Sequence, residues 1–129
     1  YPRCYIFIEF DTWELNMSTI FKKIIDKEIN ADIVYEDKNI LAFKDVNPVS
    51  PIHILIIPKK EIPTINNISS DDKEILGEML IVAKKIAEKL NVNKNGYRLV
   101  FNCNEDGGQT VFHLHMHLLA GRSFSWPPG

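Results

Sequence analysis

The sequence contains little cysteine, no long apolar run and no strong excess of either charge. Its two cysteines, Cys4 and Cys103, are too few for a four-cysteine zinc site, and neither belongs to a Cys-x-x-Cys pair. A disulfide between them stays open, but a reducing cytosolic setting is the simpler interpretation of so few cysteines. No apolar stretch approaches the roughly 20 residues of a transmembrane helix. The apolar residues 4–8 are too few, and too soon followed by acidic residues, for a signal peptide.

The charge balance and the absence of one common motif narrow the partners further. The formal net charge is −2, so no global electrostatic attraction favours nucleic acid or a membrane surface. The pattern Gly-x-x-x-x-Gly-Lys-Ser/Thr is absent, which excludes a P-loop. With 129 residues, 45% hydrophobic and 25% charged, the composition is that of one ordinary globular domain with a single core.

The chain divides into a short N-terminal segment and one domain. Residues 1–16 are aromatic-rich without a clear period, and we interpret them as an extension outside the domain, with an extra edge strand as the alternative. The domain is predicted over residues 17–129. It opens with a helix-start signal at Ser18-Thr19, followed by helical apolar spacing that predicts a short helix from Ile20 to near Asn30.

The remaining periodicity predicts an α+β domain. Two β-rich runs, Ile33–Glu36 and Ile40–Lys44, read as a hairpin, and residues 53–58 as a central strand. A long helix follows the capping pair Ser69 and Asp72. Its predicted buried stripe comprises Ile75, Leu76, Met79, Leu80, Ala83, Ile86, Ala87 and Leu90. Residues 97–102 are predicted to form a strand, residues 104–109 a turn, and the next strand an antiparallel partner. The fold class is therefore a mainly antiparallel sheet of about five strands with one long and one short helix.

Three of the four histidines occur at every second position within residues 110–120. Side chains of a β-strand alternate between its two faces, so this spacing predicts a strand with three imidazoles on one face. The imidazole face would carry His113, His115 and His117. The opposite, core-facing side would carry Phe112, Leu114, Met116 and Leu118.

Such a row of histidines is compatible with inert structural rings, a metal site, or a catalytic site with one imidazole as nucleophile. Three rings in a row span roughly 13 Å of strand, which makes a shared ion awkward without a further ligand. Residues 107–110, Gly-Gly-Gln-Thr, lead into the row. They are either a plain turn or an anion-binding loop, in which the Gln109 amide and the Thr110 hydroxyl add donors.

Three further residues have a functional and a structural interpretation. His53, at the start of an apolar run, is either a satisfied, partly buried histidine or a member of the site. Asp45 lies at a strand end, where it could accept from ribose hydroxyls or cap a turn. Trp126 near the C-terminus either anchors the tail or forms an aromatic wall for a ligand.

The motif His-φ-His-φ-His-φ-φ, with φ apolar, resembles the histidine triad (HIT) family of nucleotide hydrolases and transferases. Residues 113–119 carry the motif. Further matches resemble the Hint branch, some of whose members are called protein kinase C inhibitor-like proteins. These matches lie at residues 33–37, 41–45, 53–60 and 107–112 and in the Trp-Pro-Pro-Gly end, residues 126–129. The resemblance extends over about residues 18–129.

The resemblance implies a purine nucleoside phosphoramidase that cleaves the P–N bond of a nucleoside 5′-phosphoramidate to AMP or GMP and an amine. The middle histidine, His115, would be the nucleophile and form a nucleotidyl-histidine intermediate. His117 would contact a phosphate oxygen, and His53 and His113 would orient rings or relay protons. Thr110 stands where the family usually has serine. The resemblance therefore does not define the shape of the leaving-group pocket. The implied nucleotide-binding residues are Asp45, Val46, Ile20, Phe21, Asn102, Gly108, Gln109 and, from a partner subunit, Trp126.

The resemblance also bears on cofactors and partners. Many relatives carry Cys-x-x-Cys before the first helix, but Thr19 and Lys22 stand here, so neither that zinc site nor any other metal or cofactor is expected. The implied assembly is a homodimer with a continuous sheet, and the long helix and a strand at its interface. The location would be cytoplasmic, and an additional nuclear location is the alternative. Alternatives are a dinucleoside polyphosphate hydrolase, a nucleotide-binding regulatory or scaffold protein, and a metal-binding module.

Overall fold

The computed structural model describes residues 19–129. The expectations for residues 1–16, and any disulfide involving Cys4, lie outside the described residues. In chain order the elements are α1 (Ile20–Ile25), β1 (Ile33–Glu36), β2 (Ile40–Lys44), β3 (Ile52–Pro58), α2 (Lys73–Lys89), β4 (Tyr97–Phe101), α3 (Asn104–Gly107) and β5 (Met116–Ala120). Within residues 19–129 no helix is both long and apolar enough to cross a membrane.

The five strands form one antiparallel sheet in the order β1-β2-β3-β5-β4. This confirms the predicted α+β class, the hairpin of β1 and β2 with its bounds, and the pairing of β4 with β5. The strand β3 lies at the centre of the sheet, as its unbroken apolar run predicted, because both of its faces are covered.

Alternate strand residues pack against different helices. On one face, Ile40, Ala42, Ile54 and Ile56 join Met79, Ala83 and Ile86 of α2 in the main core. On the other face, Leu41, Phe43, Leu55 and Ile57 pack with Phe21 and Ile24 of α1. The period of two therefore divides the buried residues into a large core under α2 and a smaller one under α1. The α1 side is the face on which the site lies.

Helix α2 begins as the capping signal predicted, after a 3₁₀ turn over Ser70–Asp72. The Ser69 side chain accepts from the backbone of this turn, and Asp72 accepts from the Ser69 amide at 2.9 Å. The stripe is buried at Met79, Ala83, Ile86 and Ala87, and Ile75 and Leu76 pack against the core at its edge. Leu80 was assigned to the stripe wrongly.

The apolar surface of α2 is wider than the face that the sheet covers. Leu80 is 53% exposed and Ile81 is 55% exposed, whereas Val82 is buried in the core. Leu90, also placed in the stripe, caps the helix end and is exposed. Helical spacing alone cannot decide which edge of a broad apolar surface meets the sheet.

Three local expectations are corrected by the backbone. Helix α1 ends at Ile25, not near Asn30, because Lys27 adopts a positive φ of 65°, which a continuing right-handed helix does not allow. The turn predicted over residues 104–109 contains the short helix α3. Strand β5 begins only at Met116, so His113 and His115 lie in an irregular segment outside the sheet ladder.

Candidate active site

The four histidines meet on the α1 face of the sheet. His53 lies in β3 and His117 in the neighbouring β5, where Leu55 pairs with His117. His53, His113 and His115 are buried, and His117 is half-buried. The ring centroids of His115 and His117 lie 5.0 Å apart, and those of His53 and His117 lie 5.1 Å apart. The structure therefore brings together the histidines that the sequence singled out.

The predicted alternation of side chains holds although the segment before Met116 is not a strand. The Leu114 side chain lies in the α2 core with Met116 and Leu118. The His113 and His115 rings lie on the opposite side, with centroids 6.3 Å and 5.0 Å from that of Phe21. The assignment of Phe112 to the core side was wrong, because its side chain is 42% exposed where the segment leaves the sheet.

Hydrogen bonds to carbonyls assign the tautomers of two rings. The Nδ1–H of His115 donates to the His113 carbonyl at 2.7 Å, and the Nε2–H of His113 donates to the Pro58 carbonyl at 2.7 Å. A carbonyl only accepts, so each ring nitrogen named here carries the proton. The Nε2 of His115 is then left with its lone pair, which is the condition for a nucleophile.

A second chain of hydrogen bonds assigns the tautomers of His53 and His117. The Val49 amide donates to Nδ1 of His53 at 3.1 Å, so the proton of the neutral His53 ring lies on Nε2. That Nε2–H donates to Nδ1 of His117 at 2.8 Å. His117 in turn carries its proton on Nε2 and can donate it to an anionic oxygen. The relay of hydrogen bonds from Val49 through His53 to His117 thus leaves the Nε2–H of His117 as a donor in the site.

All four rings favour the neutral form at pH 7. Burial is the first cause in every case and lowers the pKa of His53, His113 and His115 below the ordinary 6.5. For His117, burial and then repulsion by the His115 and His53 rings lower the pKa to about 4. A neutral imidazole at position 115 keeps its Nε2 lone pair available at physiological pH.

Asp45 joins the relay from the loop after β2. Its Oδ1 accepts from the Asn47 amide at 2.8 Å, and its Oδ2 lies 3.3 Å from Nε2 of His53. The next residue, Val46, is exposed. A carboxylate at this loop is placed to orient His53 and to meet hydroxyl groups of a ligand.

Asp45, His53 and His117 also offer three ligand atoms within 4.8 Å of one another. The hydrogen bonds argue against a metal at this point. A metal-ligating histidine normally donates its other ring N–H to an acceptor, but His53 accepts at Nδ1 from Val49 and holds its proton on the nitrogen that would face the ion. The chemistry of these donors fits a proton relay better than a metal centre, and the expectation of no metal stays a prediction.

The loop before the histidine segment differs from a simple anion nest. Gly108 has a φ of 83° and caps α3, and the amides of Gly108 and Gln109 donate to the carbonyls of Glu105 and Asn104 at 3.0 Å. These two amides are therefore used within the loop. Thr110 is exposed, whereas Gln109 is buried.

The other expected contacts are distributed around the site. Phe21 is buried against His115 and packs edge-to-face on Phe43 with centroids 5.5 Å apart, and Ile20 is half-exposed beside it. Asn102 follows β4, and Trp126 is exposed in the tail.

The tail itself is held by contacts that the sequence did not suggest. Arg98 donates to the Ser125 carbonyl at 2.8 Å, and its guanidinium and that of Arg122 both lie over the Phe124 ring. Arg122 also donates to the carbonyl of Val49 at 3.3 Å. The tail has no helical or strand periodicity, so its sequence does not predict these contacts.

Comparison with known proteins gives consistent relatives. The family model of the HIT domain matches residues 26–124. The chain is 54% identical over 111 residues to an uncharacterised HIT-like protein of Synechocystis, which covers 86% of this chain and 96% of the relative. It is also 54% identical over 104 residues to the purine nucleoside phosphoramidase of Escherichia coli K12, covering 81% and 87%.

Solved structures show the same likeness. A HIT family hydrolase from Legionella pneumophila superimposes with a TM-score of 0.85 at 55% identity, covering 87% of this chain and 100% of that one. A histidine triad protein from Clostridium difficile gives a TM-score of 0.82 at 43% identity, covering 84% and 95%.

Proposed function

The chain belongs to the HIT domain family, and from that premise we propose that it is a purine nucleoside phosphoramidase. The proposed reaction is hydrolysis of the P–N bond of a nucleoside 5′-phosphoramidate to AMP or GMP and an amine. The relative from Escherichia coli bears the name of that enzyme at 54% identity. The single observation that carries the chemistry is the His115 ring, whose Nδ1–H is bound to a carbonyl while its Nε2 lone pair is free to attack.

In the first step, Nε2 of His115 forms a bond to the α-phosphorus and the P–N bond breaks. The departing nitrogen keeps the bonding electron pair and takes up a proton from solvent, so the amine leaves neutral. The imidazole becomes cationic in the nucleotidyl-histidine, and the His113 carbonyl stabilises it by accepting the Nδ1–H bond at 2.7 Å. In the second step, water attacks the phosphorus and releases a proton to solvent, and the bond to Nε2 breaks with its electron pair returning to Nε2, which gives AMP or GMP and restores the neutral ring.

Neighbouring groups support both steps. The Nε2–H of His117 would donate to a non-bridging phosphate oxygen, where negative charge develops in the transition state. His53 holds that tautomer through its 2.8 Å bond to Nδ1 of His117. Asp45 would bind ribose hydroxyls, and Thr110 would contact the phosphate or the leaving amine. The purine would lie against Ile20, Phe21 and Val46.

Further nucleotide contacts are proposed for Asn102 and Gly108, which lie at either end of α3. The residues that follow α3 lead directly to the histidines. Because its amide already donates to the Glu105 carbonyl, Gly108 would contribute through the space that its missing side chain leaves for the nucleotide.

The proposed assembly is a homodimer with a continuous sheet. Strand β4 lies at the edge of the sheet and is available for pairing with a second copy. Leu80 and Ile81 expose apolar surface on α2, and Phe101 does so on β4, as expected of a face that a partner covers. Trp126 of the partner subunit would then reach the nucleotide site. We propose a cytoplasmic location for the enzyme.

The test is hydrolysis of adenosine 5′-phosphoramidate by purified protein in the presence of a chelator. We expect turnover by the wild type, a nucleotide trapped on His115 in mass spectra, and neither in His115→Ala. Asn66→Ala, in a turn outside the site, serves as the control and should retain activity. Full activity of a folded His115→Ala protein would refute the assignment of the nucleophile. Faster hydrolysis of dinucleoside polyphosphates would replace the proposed substrate class.

A further inference from the structure

The buried side chain of Gln109 makes three hydrogen bonds to backbone groups of three different segments. Its Nε2 donates to the Pro63 carbonyl at 2.8 Å and to the Val111 carbonyl at 3.0 Å. Its Oε1 accepts from the Asn104 amide at 2.9 Å. Both amide protons are thereby used, and the side chain is only 7% exposed. Such an amide has no proton left to give to a phosphate.

The same contacts belong to a larger set that fixes the histidine segment. The loop from Pro58 to Pro63 accepts from this segment at three points. Besides the bond from Gln109 to Pro63, the Leu114 amide donates to the Ile62 carbonyl at 2.6 Å, and His113 donates to the Pro58 carbonyl at 2.7 Å. Because residues 109–115 lie outside the strand ladder, these bonds take the place of cross-strand pairing.

We infer that Gln109 is a positioning residue for the reaction: its amide fixes Thr110 and the start of the segment that carries His115, and it does not contact the substrate. The inference rests on the proposed function, and it replaces the expectation from the sequence that the Gln109 amide is a donor to the nucleotide. The segment has two fixed ends, Gln109 before it and β5 after it. Removal of Gln109 takes away the first anchor of the segment and leaves only the bonds from His113 and Leu114 to hold it on the side before His115.

The expected effect follows from the geometry that an in-line attack requires. A displacement of about 1 Å between reacting atoms can cost roughly 100-fold in rate. Loss of Gln109 should therefore slow formation of the nucleotidyl-histidine, while binding of AMP, which depends on the base and ribose contacts as well, should change little.

The test compares Gln109→Met with Thr64→Val. Met has a similar length and makes none of the three bonds. Thr64 is a buried polar residue directly after Pro63, and its hydroxyl accepts from Asn66 and donates to Asn67, so its loss removes comparable bonds without touching the histidine segment. Gln109→Asn retains the amide but is one methylene too short to span all three acceptors and donors. It provides a second variant should Gln109→Met fold poorly.

Three measurements are made on each folded protein: the single-turnover rate of nucleotidyl-His115 formation, the Kd of AMP, and the ¹⁵N chemical shifts of the His115 ring. For both Gln109 variants we expect a rate about 10- to 100-fold lower, a Kd within about threefold, and altered ring shifts. Thr64→Val should match the wild type in all three, even with an equal loss of Tm.

Two results would overturn the inference. If the Gln109 variants matched Thr64→Val in rate and ring shifts, the role of Gln109 would be structural only. If the Gln109 variants bound AMP with a raised Kd but formed the intermediate at an unchanged rate, Gln109 would be a direct ligand contact. Failure of the wild type to form the intermediate would instead reject the proposed function, and the His115 ring shifts would still decide the role of Gln109.

Discussion

The neutral histidine cluster should make the protein lose stability as the pH falls from 7.5 to 5. The pKa of His117 is lowered to about 4 in the folded protein, mainly by burial, whereas the unfolded chain has the ordinary value of 6.5. Below 6.5 the unfolded chain therefore binds more protons than the folded one, which favours unfolding. The stabilisation is complete above pH 6.5 and is lost progressively as the pH falls towards 4.

The magnitude follows from the two pKa values of His117. Their difference corresponds to about 3 kcal/mol over the whole transition, of which about 2 kcal/mol is lost between pH 7.5 and pH 5. That is a large part of the roughly 5–15 kcal/mol that stabilises a typical domain. The lowered pKa values of His53, His113 and His115 act in the same direction.

The assay is urea unfolding of the wild type and of His117→Gln at pH 7.5 and pH 5. Gln is neutral at both pH values, and its carbonyl can accept the Nε2–H of His53, so the variant should lose about 2 kcal/mol less on acidification than the wild type. Carboxylates with lowered pKa, such as Glu36 and Asp37, titrate below this range and do not confuse the comparison. An equal loss in both proteins would refute the neutral, buried state of His117.

Three further predictions concern activity and stability. The acid limb of the kcat/KM profile should have an apparent pKa below 6.5, because burial lowers that of His115; a limb above 7, in activity measured across pH, would contradict it. Gly121→Ala should lower the Tm, since φ is +96° and a Cβ would lie 2.7 Å from Pro51 Cβ; an unchanged Tm would disprove the strain. Ser69→Ala should cost about 1 kcal/mol in urea unfolding by removing one side of the capping box, with kcat unchanged.

Local patterns sufficed for the elements whose packing is itself local. The hairpin of β1 and β2 has the predicted bounds because its two β-rich runs and their short polar connection all lie within a dozen residues. The cap at Ser69 was likewise readable from spacing. The exposed position of Leu80 was not, because it depends on which part of α2 meets a sheet assembled from distant strands.

The histidine segment shows the same limit at the site. Its alternation correctly predicted which side chains face α1 and which face the main core. It did not predict where the strand begins, because the Leu114 amide bonds to Ile62, a partner more than fifty residues away along the chain. The tautomers of His53 and His115 depend on the Val49 amide and the His113 carbonyl. Backbone groups are common to all sequences, so no motif records them.

The late start of β5 at Met116 decides how the His113 carbonyl is used. Had the ladder continued towards the N-terminus, the His113 carbonyl could have been engaged by a neighbouring strand. Outside the ladder it accepts from the His115 ring at 2.7 Å instead. A redesign that lengthened β5 for greater stability would therefore compete for the acceptor that holds the nucleophile in its reactive tautomer. In this fold, more regular sheet structure would reduce reactivity.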